Sequence, residues 1–252
     1  MATLADPDGQ LRSERRFFFT LACAIAAVLV AGFSFQLGAG RSSFAVPLIY
    51  HVHAFVFFGW LVLFLIQSWL VDRGQVAQHR QLGRLAAIWI PAMVVIGTML
   101  TVTTMRRTGG PFFFDANEFM IGNPVGLLAF ALLVGAAVRL RQRSDWHRRL
   151  MLCALASISG PGFGRLLPMP LLIPWGWEIS NTIGLVFVAA GMIRDRRHLG
   201  TVHPAWLVGI AAVLGWIALG EVLAYSDWGT ALTRQVMAGY PGAARPMQAY
   251  LP

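Results

Sequence analysis

Six histidines and a few well-placed acids are the residues of this chain with the most chemistry to offer. One stretch runs Tyr50-His51-Val52-His53-Ala54-Phe55-Val56-Phe57-Phe58-Gly59-Trp60 and continues to Gln67. His53, Trp60 and Gln67 recur at heptad spacing, so on a helix they form one stripe drifting only about 20° per step. His51 points roughly 200° away from His53. It heads a second stripe of Phe55, Phe58, Val62, Leu65 and Trp69, which suits lipid or apolar neighbours. A single helix therefore cannot aim both histidines at one metal, and His53 is the interior candidate, with Trp60 and Gln67 beneath it.

His79 and His147 each stand at the start of another apolar run, in basic hinges. Neutral imidazoles there are able to ligate a metal or haem iron, and the neighbouring arginines suit haem propionates or anionic lipid better than a bare cation. His53, His79 and His147 are thus the candidate metal or cofactor ligands, with Trp60 and Gln67 alongside. The competing assignment is structural: hydrogen bonds at the interface and in the hinges, Trp60 as packing and Gln67 as interhelical glue.

The acidic candidates lie further on. Glu178, Asn181 and Thr182 are spaced to share a helix face, and Glu221 is followed one turn later by Tyr225. Together with His53 and Arg165 they could converge on one pocket. A carboxyl among apolar walls keeps its proton and serves as a general acid, which makes Glu178, Glu221 and Arg165 the candidate catalytic group. The plainer alternative pairs Arg165 with Glu178 or Glu221 in an interfacial salt bridge.

The elements that must carry these residues are membrane helices. Of 252 residues 57% are hydrophobic and only 12% charged, and the mean hydropathy is +0.63. Soluble domains carry about 25% charged residues, so this chain has too few to clothe a water-soluble globule. Seven runs reach spanning length of about 20 residues: 17–37, 47–71, 85–105, 124–140, 149–166, 176–193 and 204–225. The fifth holds Ser157-Ile158-Ser159-Gly160-Pro161-Gly162-Phe163-Gly164, where a kink or re-entrant stretch is expected. The first is longer than a signal-peptide core and reads as a retained helix. The expected fold class is an all-α polytopic bundle of about seven transmembrane helices. Residues 1–16 form a cytoplasmic segment, 17–225 the bundle and 226–252 an extracytoplasmic tail.

Arginine supplies the whole positive charge, since lysine is absent and the net charge is +9. With the N-terminus inside, the inner segments hold 14 arginines and the outer ones 6. That bias follows the positive-inside rule and gives an N-in, C-out topology in a bacterial inner membrane, with membrane lipids rather than nucleic acid as the partner of the basic charge. Without lysine there is no Schiff base, which excludes a retinal-linked rhodopsin. All charges fall at or near span ends, which argues against a pump or secondary transporter. Cys23 and Cys153 sit in apolar runs as small hydrophobes. His79-Arg80-Gln81-Leu82, His147-Arg148-Arg149-Leu150 and Arg197-His198-Leu199-Gly200 follow Asp72, Asp145 and Asp195 respectively. They suggest three repeated hairpins, or simply basic hinges of similar composition.

Three of these motifs carry a resemblance: His51-Val52-His53-Ala54 with Trp60 and Gln67; His79-Arg80-x-Leu82-Gly83; and His147-Arg148-Arg149-Leu150-Met151 ending at Gly160-Pro161 and Arg165. Over residues 50–166 the chain resembles a widespread group of bacterial multi-helix membrane proteins with no assigned activity. The resemblance implies a membrane fold in which these positions matter. There is a more distant likeness to cytochrome b561-like proteins, which hold two haems between paired histidines. Here that implies one haem at His79 and His147, because His53 lacks a histidine partner from another helix. The integral membrane terpene cyclases are similar in length and layout, and imply Glu178 and Glu221 as acids acting on an isoprenoid. The leading expectation is a redox protein binding one haem or metal. The alternatives are an enzyme performing acid–base chemistry on a lipid-soluble substrate, or a transporter or accessory subunit.

Overall fold

A computed structural model describes residues 7–251, so residues 1–6 of the expected N-terminal segment and Pro252 lie outside the described residues. All regular structure among the described residues is helical, with no strand. The helices are α1 (Pro7–Gly38), α2 (Leu48–Asp72), α3 (Val76–Leu82), α4 (Ala86–Thr108), α5 (Ala116–Arg139), α6 (Ser144–Ser157), α7 (Gly160–Leu166), α8 (Gly176–Thr182), α9 (Leu185–Leu199), α10 (Pro204–Ala224) and α11 (Asp227–Met237). Among them six helical stretches are long and apolar enough to cross a membrane: α1, α2, α3 with α4, α5, α8 with α9, and α10. The chain is a multi-pass membrane protein.

The count is six where the sequence reading gives about seven, and the difference is the fifth run, where a kink or re-entrant stretch is expected. The stretch 149–166 is two short helices, broken where Ser157, Ser159, Gly160 and Pro161 interrupt the backbone ladder. The broken pair nevertheless runs beside α1 over most of its length. Arg148 at the start of α6 meets Glu14 of α1 at 2.7 Å. Further on, Gly162 of α7 lies against Gly32 of α1, where a Cβ on Gly32 would stand 2.3 Å from the Gly162 carbonyl oxygen. Glu14 and Gly32 are about 27 Å apart along a helix. A second break, between Thr182 and Leu185, lies beside the first: a Cβ on Gly184 would come within 2.5 Å of Ser159 Oγ and of the Ala156 carbonyl oxygen.

α5 also departs from expectation. It begins at Ala116 rather than 124, because Asp115 caps it and Glu118 accepts the Asp115 backbone N–H at 3.2 Å. That is the reciprocal half of a capping box. Pro124 then lies inside the helix. α5 is the central element, flanked by α4, α6 and α10.

Lipid tails offer no hydrophobic gain for helix association, so close packing must supply it. Here tryptophans fill glycine notches. Trp89 covers Gly59, Trp177 covers Gly122 and Trp206 covers Gly191, each so closely that a Cβ would fall 2.2–2.6 Å from the indole. Large apolar side chains meanwhile point outward, including Phe55, Ile88 and Leu132, each more than 70% exposed. Phe55, Val62 and Trp69 of the His51 stripe are among the exposed residues, whereas Trp60 is only 3% exposed.

Residues 226–251, expected only as a tail, fold back on the bundle. The Arg245 guanidinium donates to the carbonyl oxygens of Gly109 and Phe114. The Ala116 N–H donates to the Met247 carbonyl at 2.7 Å, and the Ala249 N–H to Asp115 Oδ1 at 2.7 Å.

Candidate functional site

The α4–α5 loop held by this tail roofs a cavity of about 530 Å³. Its walls come from the second half of α1, the first half of α2, the second half of α4, the first half of α5 and the α6–α7 break. All of these lie toward the end of the bundle opposite the arginine-rich hairpins. Its size lies within the range of small-molecule sites, which are mostly apolar with a few fixed polar groups.

The apolar wall is aromatic. Phe57, Phe58, Phe113 and Phe114 line it, with Trp60, Trp177 and Trp216. Trp177 packs edge-on to Phe114 and to Trp216 at 5.2 and 6.3 Å between centroids. Glycines at 122 and 126, one turn apart on α5, let Trp177 and Trp216 approach that helix. His53 stacks on Phe57 with centroids 4.0 Å apart.

The polar groups gather at the broken helices. Arg165 ends α7, its Nη1 donating to the Pro161 carbonyl at 2.7 Å and its guanidinium lying 3.9 Å over the Phe33 ring. Among the described residues no carboxylate lies within ion-pair reach of Arg165, so the expected bridge to Glu178 or Glu221 is not formed. Asn181 and Asn123 each donate to their own helix, at 2.8 and 2.7 Å, leaving both amide oxygens as acceptors. Three further atoms are buried without a partner and belong to residues lining the cavity: Gln36 Oε1, Trp60 Nε1 and Trp216 Nε1. Buried polar atoms that lack partners pay an uncompensated desolvation cost unless a ligand or water meets them.

The sequence candidates thus divide into three places. His53, Trp60 and Arg165 line the cavity together with Asn181. Glu178 and Glu221 meet elsewhere, with Glu118, which the sequence reading missed; one carboxylate oxygen from each lies within 4.8 Å of the others. Tyr225 joins this group, its hydroxyl 2.8 Å from both Asp115 Oδ2 and Glu118 Oε1. The signal that could have found Glu118 was Asp115-x-x-Glu118, a capping box that moves the start of α5 back and puts Glu118 on the helix. Trp177, Trp216 and Phe119, which pack in one cluster, form the wall on that side of the cavity.

The third place is the arginine-rich end. His79 and His147 meet there with ring centroids 6.2 Å apart. His53 is not with them, because the remainder of α2 puts about 28 Å between His53 and that end. A metal shared by all three histidines is ruled out by this separation. The same end holds the most buried ion pair, in which Arg149 grips Asp195 at 2.6 and 2.8 Å. The three repeated acids find unlike partners, Asp72 with Arg16, Asp145 with His203 and Asp195 with Arg149.

Comparison with protein-family models, with curated proteins and with solved structures gives no match. The site is therefore read from its own geometry: a multi-pass membrane protein whose two broken helices and aromatic walls enclose a cavity with an unpaired guanidinium at its edge.

Proposed function

We propose that this protein binds an amphipathic small molecule with an anionic head group in the cavity. The observation that carries the reading is Arg165, a guanidinium without a carboxylate partner at an aromatic-lined cavity in an apolar bundle. A charge in such surroundings is costly unless paired, and a carboxylate or phosphate pairs with guanidinium through its planar fork. The apolar body of the ligand lies against Phe57, Phe58 and Trp177, and its remaining polar atoms meet the Trp60 and Trp216 indole N–H groups. Irregular backbone at membrane depth is tolerated where it lines a cavity, which accounts for the α6–α7 break facing this space.

In this reading the arginine-rich end faces the cytoplasm of a bacterial inner membrane, the broken α6–α7 pair makes a seventh crossing, and tags on the two termini report opposite sides. The test uses stearate bearing a nitroxide on its chain, which quenches tryptophan fluorescence on binding. The wild-type protein in detergent binds it saturably and binds the corresponding methyl ester weakly. Arg165→Gln weakens stearate binding at least tenfold, as expected for loss of a charge-assisted hydrogen bond worth about 1.5–3 kcal/mol. Equal affinity for acid and ester, or an unchanged Arg165→Gln variant, overturns the proposal.

A second reading, acid–base chemistry on a lipid-soluble substrate, draws on the grouping of Glu118, Glu178 and Glu221. It requires Glu178→Gln and Glu221→Gln to stop turnover in folded protein, and full activity in both variants ends it.

A further inference from the structure

We propose that His79 and His147 form a binding site for a late first-row transition-metal ion, separate from the cavity. The sequence brings them to one place by two routes, since His79 lies on α3 directly after α2 and His147 lies in the first turns of α6. Their rings stand 6.2 Å apart between centroids, at an interplanar angle of 76°. An ion bound to one nitrogen of each ring at about 2.0 Å sits roughly 3 Å from each centroid. The observed separation is reached when the two ligands are nearly opposed across the ion; closing to a tetrahedral angle would draw the centroids to about 5 Å.

The proton arrangement fits as well. His147 Nδ1 lies 2.8 Å from the Ala137 carbonyl oxygen, an acceptor only, so Nδ1 carries the proton and Nε2 keeps a free lone pair. Metal-ligating histidines are held in this way by a second hydrogen bond from the other ring nitrogen. His79 Nδ1 is buried with no partner, and so is Gln67 Oε1 of α2, whose amide nitrogen stands 3.2 Å from where a Cβ on Gly83, one turn after His79, would lie. A cation supplies what these lone pairs lack. Two neutral imidazoles with an amide oxygen match zinc, cobalt or copper rather than magnesium or calcium, which require several oxygen ligands. The arginines that disfavour a bare cation act weakly here: Arg148 beside His147 is paired with Glu14 at 2.7 Å, and Arg80 beside His79 is exposed, where solvent screens its charge.

The experiment uses full-length protein in detergent, stripped with a chelator and titrated with Co(II), then with Zn(II). One equivalent of Co(II) binds with visible d–d absorption and is displaced by Zn(II). His79→Leu and His147→Leu each weaken binding at least tenfold, while His51→Gln with His198→Gln leaves it unchanged. Both single variants still bind the nitroxide-labelled stearate as the wild type does, which separates failure of this site from failure of the cavity reading. If either variant does not fold, the wild type decides. Zn(II) protects His79 and His147, but not His51 or His198, from acylation by diethylpyrocarbonate read by mass spectrometry. The proposal fails if no saturable metal binding is seen, if binding survives both leucine variants, or if neither His79 nor His147 is protected.

Discussion

Replacing Arg149 by leucine should be among the most destabilising single changes in the protein. Arg149 is fully buried and Asp195 only 1% exposed. Arg149 Nε and Nη2 donate to the two Asp195 oxygens at 2.8 and 2.6 Å, and Nη1 donates to the Asp145 carbonyl at 2.9 Å. Asp195 Oδ2 also accepts the Trp206 indole N–H at 2.7 Å. Glu14 stands 3.6 Å from Arg149 Nη2. Removing the guanidinium leaves Asp195 a buried anion without its charged partner, at a cost of about 3–5 kcal/mol. Asp195→Leu should cost less, because Glu14 remains beside Arg149 and takes over part of the pairing. The double variant Arg149→Leu with Asp195→Leu should lie well below the sum of the single losses, since two apolar groups replace the pair together. The coupling expected in such a cycle is about 1–3 kcal/mol. The measurement is equilibrium unfolding in mixed micelles with rising SDS, followed by tryptophan fluorescence. A loss below about 1 kcal/mol for Arg149→Leu, or strict additivity in the double variant, refutes the assignment of this pair as the anchor of the arginine-rich end.

Three other perturbations probe the packing and the cavity. A Cβ on Gly164 meets nothing closer than 3.8 Å, so Gly164→Leu should fold normally yet project into the cavity and abolish nitroxide-stearate quenching; undiminished binding would place the ligand elsewhere. A Cβ on Gly162 would stand 2.9 Å from Leu29 Cα, backbone that cannot move aside. Gly162→Val should therefore part α1 from α7 and lower stability by about 1–3 kcal/mol, which thermal melting in detergent measures. Arg245→Ala removes the donors that hold the Gly109 and Phe114 carbonyls, so ligand release measured by stopped-flow fluorescence should quicken several-fold, while Arg234→Ala leaves it unchanged.

Much of the architecture is legible in composition and periodicity. The heptad-spaced stripe of α2 already separates His53, Trp60 and Gln67 from the outward face of Phe55, Val62 and Trp69. Breakers after Ser157 announce an interruption, although they do not say that a second break at Gly184 lies beside it. The start of α5 is hidden because Asn117, Glu118, Asn123 and Pro124 dilute the apolar signal, whereas the capping box that begins the helix is a local hydrogen-bond pattern. The fold-back of residues 226–251 is invisible for a different reason: its contacts join Arg245 to Gly109 and Phe114, far apart in sequence, and leave no period to read.

Residue types and their order were enough to specify the solvent, the approximate course of most apolar helices and the end at which the arginines collect, because transfer of side chains into lipid is a local, additive property. Which chemical groups share a space is not local. Arg165 stands apart from Glu178 and Glu221, Glu118 joins those two acids, and His79 meets His147 while His53 remains at the other end of α2. These outcomes depend on the rotation and depth of each helix against its neighbours. Those are set by tryptophans seated in glycine notches and by two facing breaks, contacts between residues far apart along the chain.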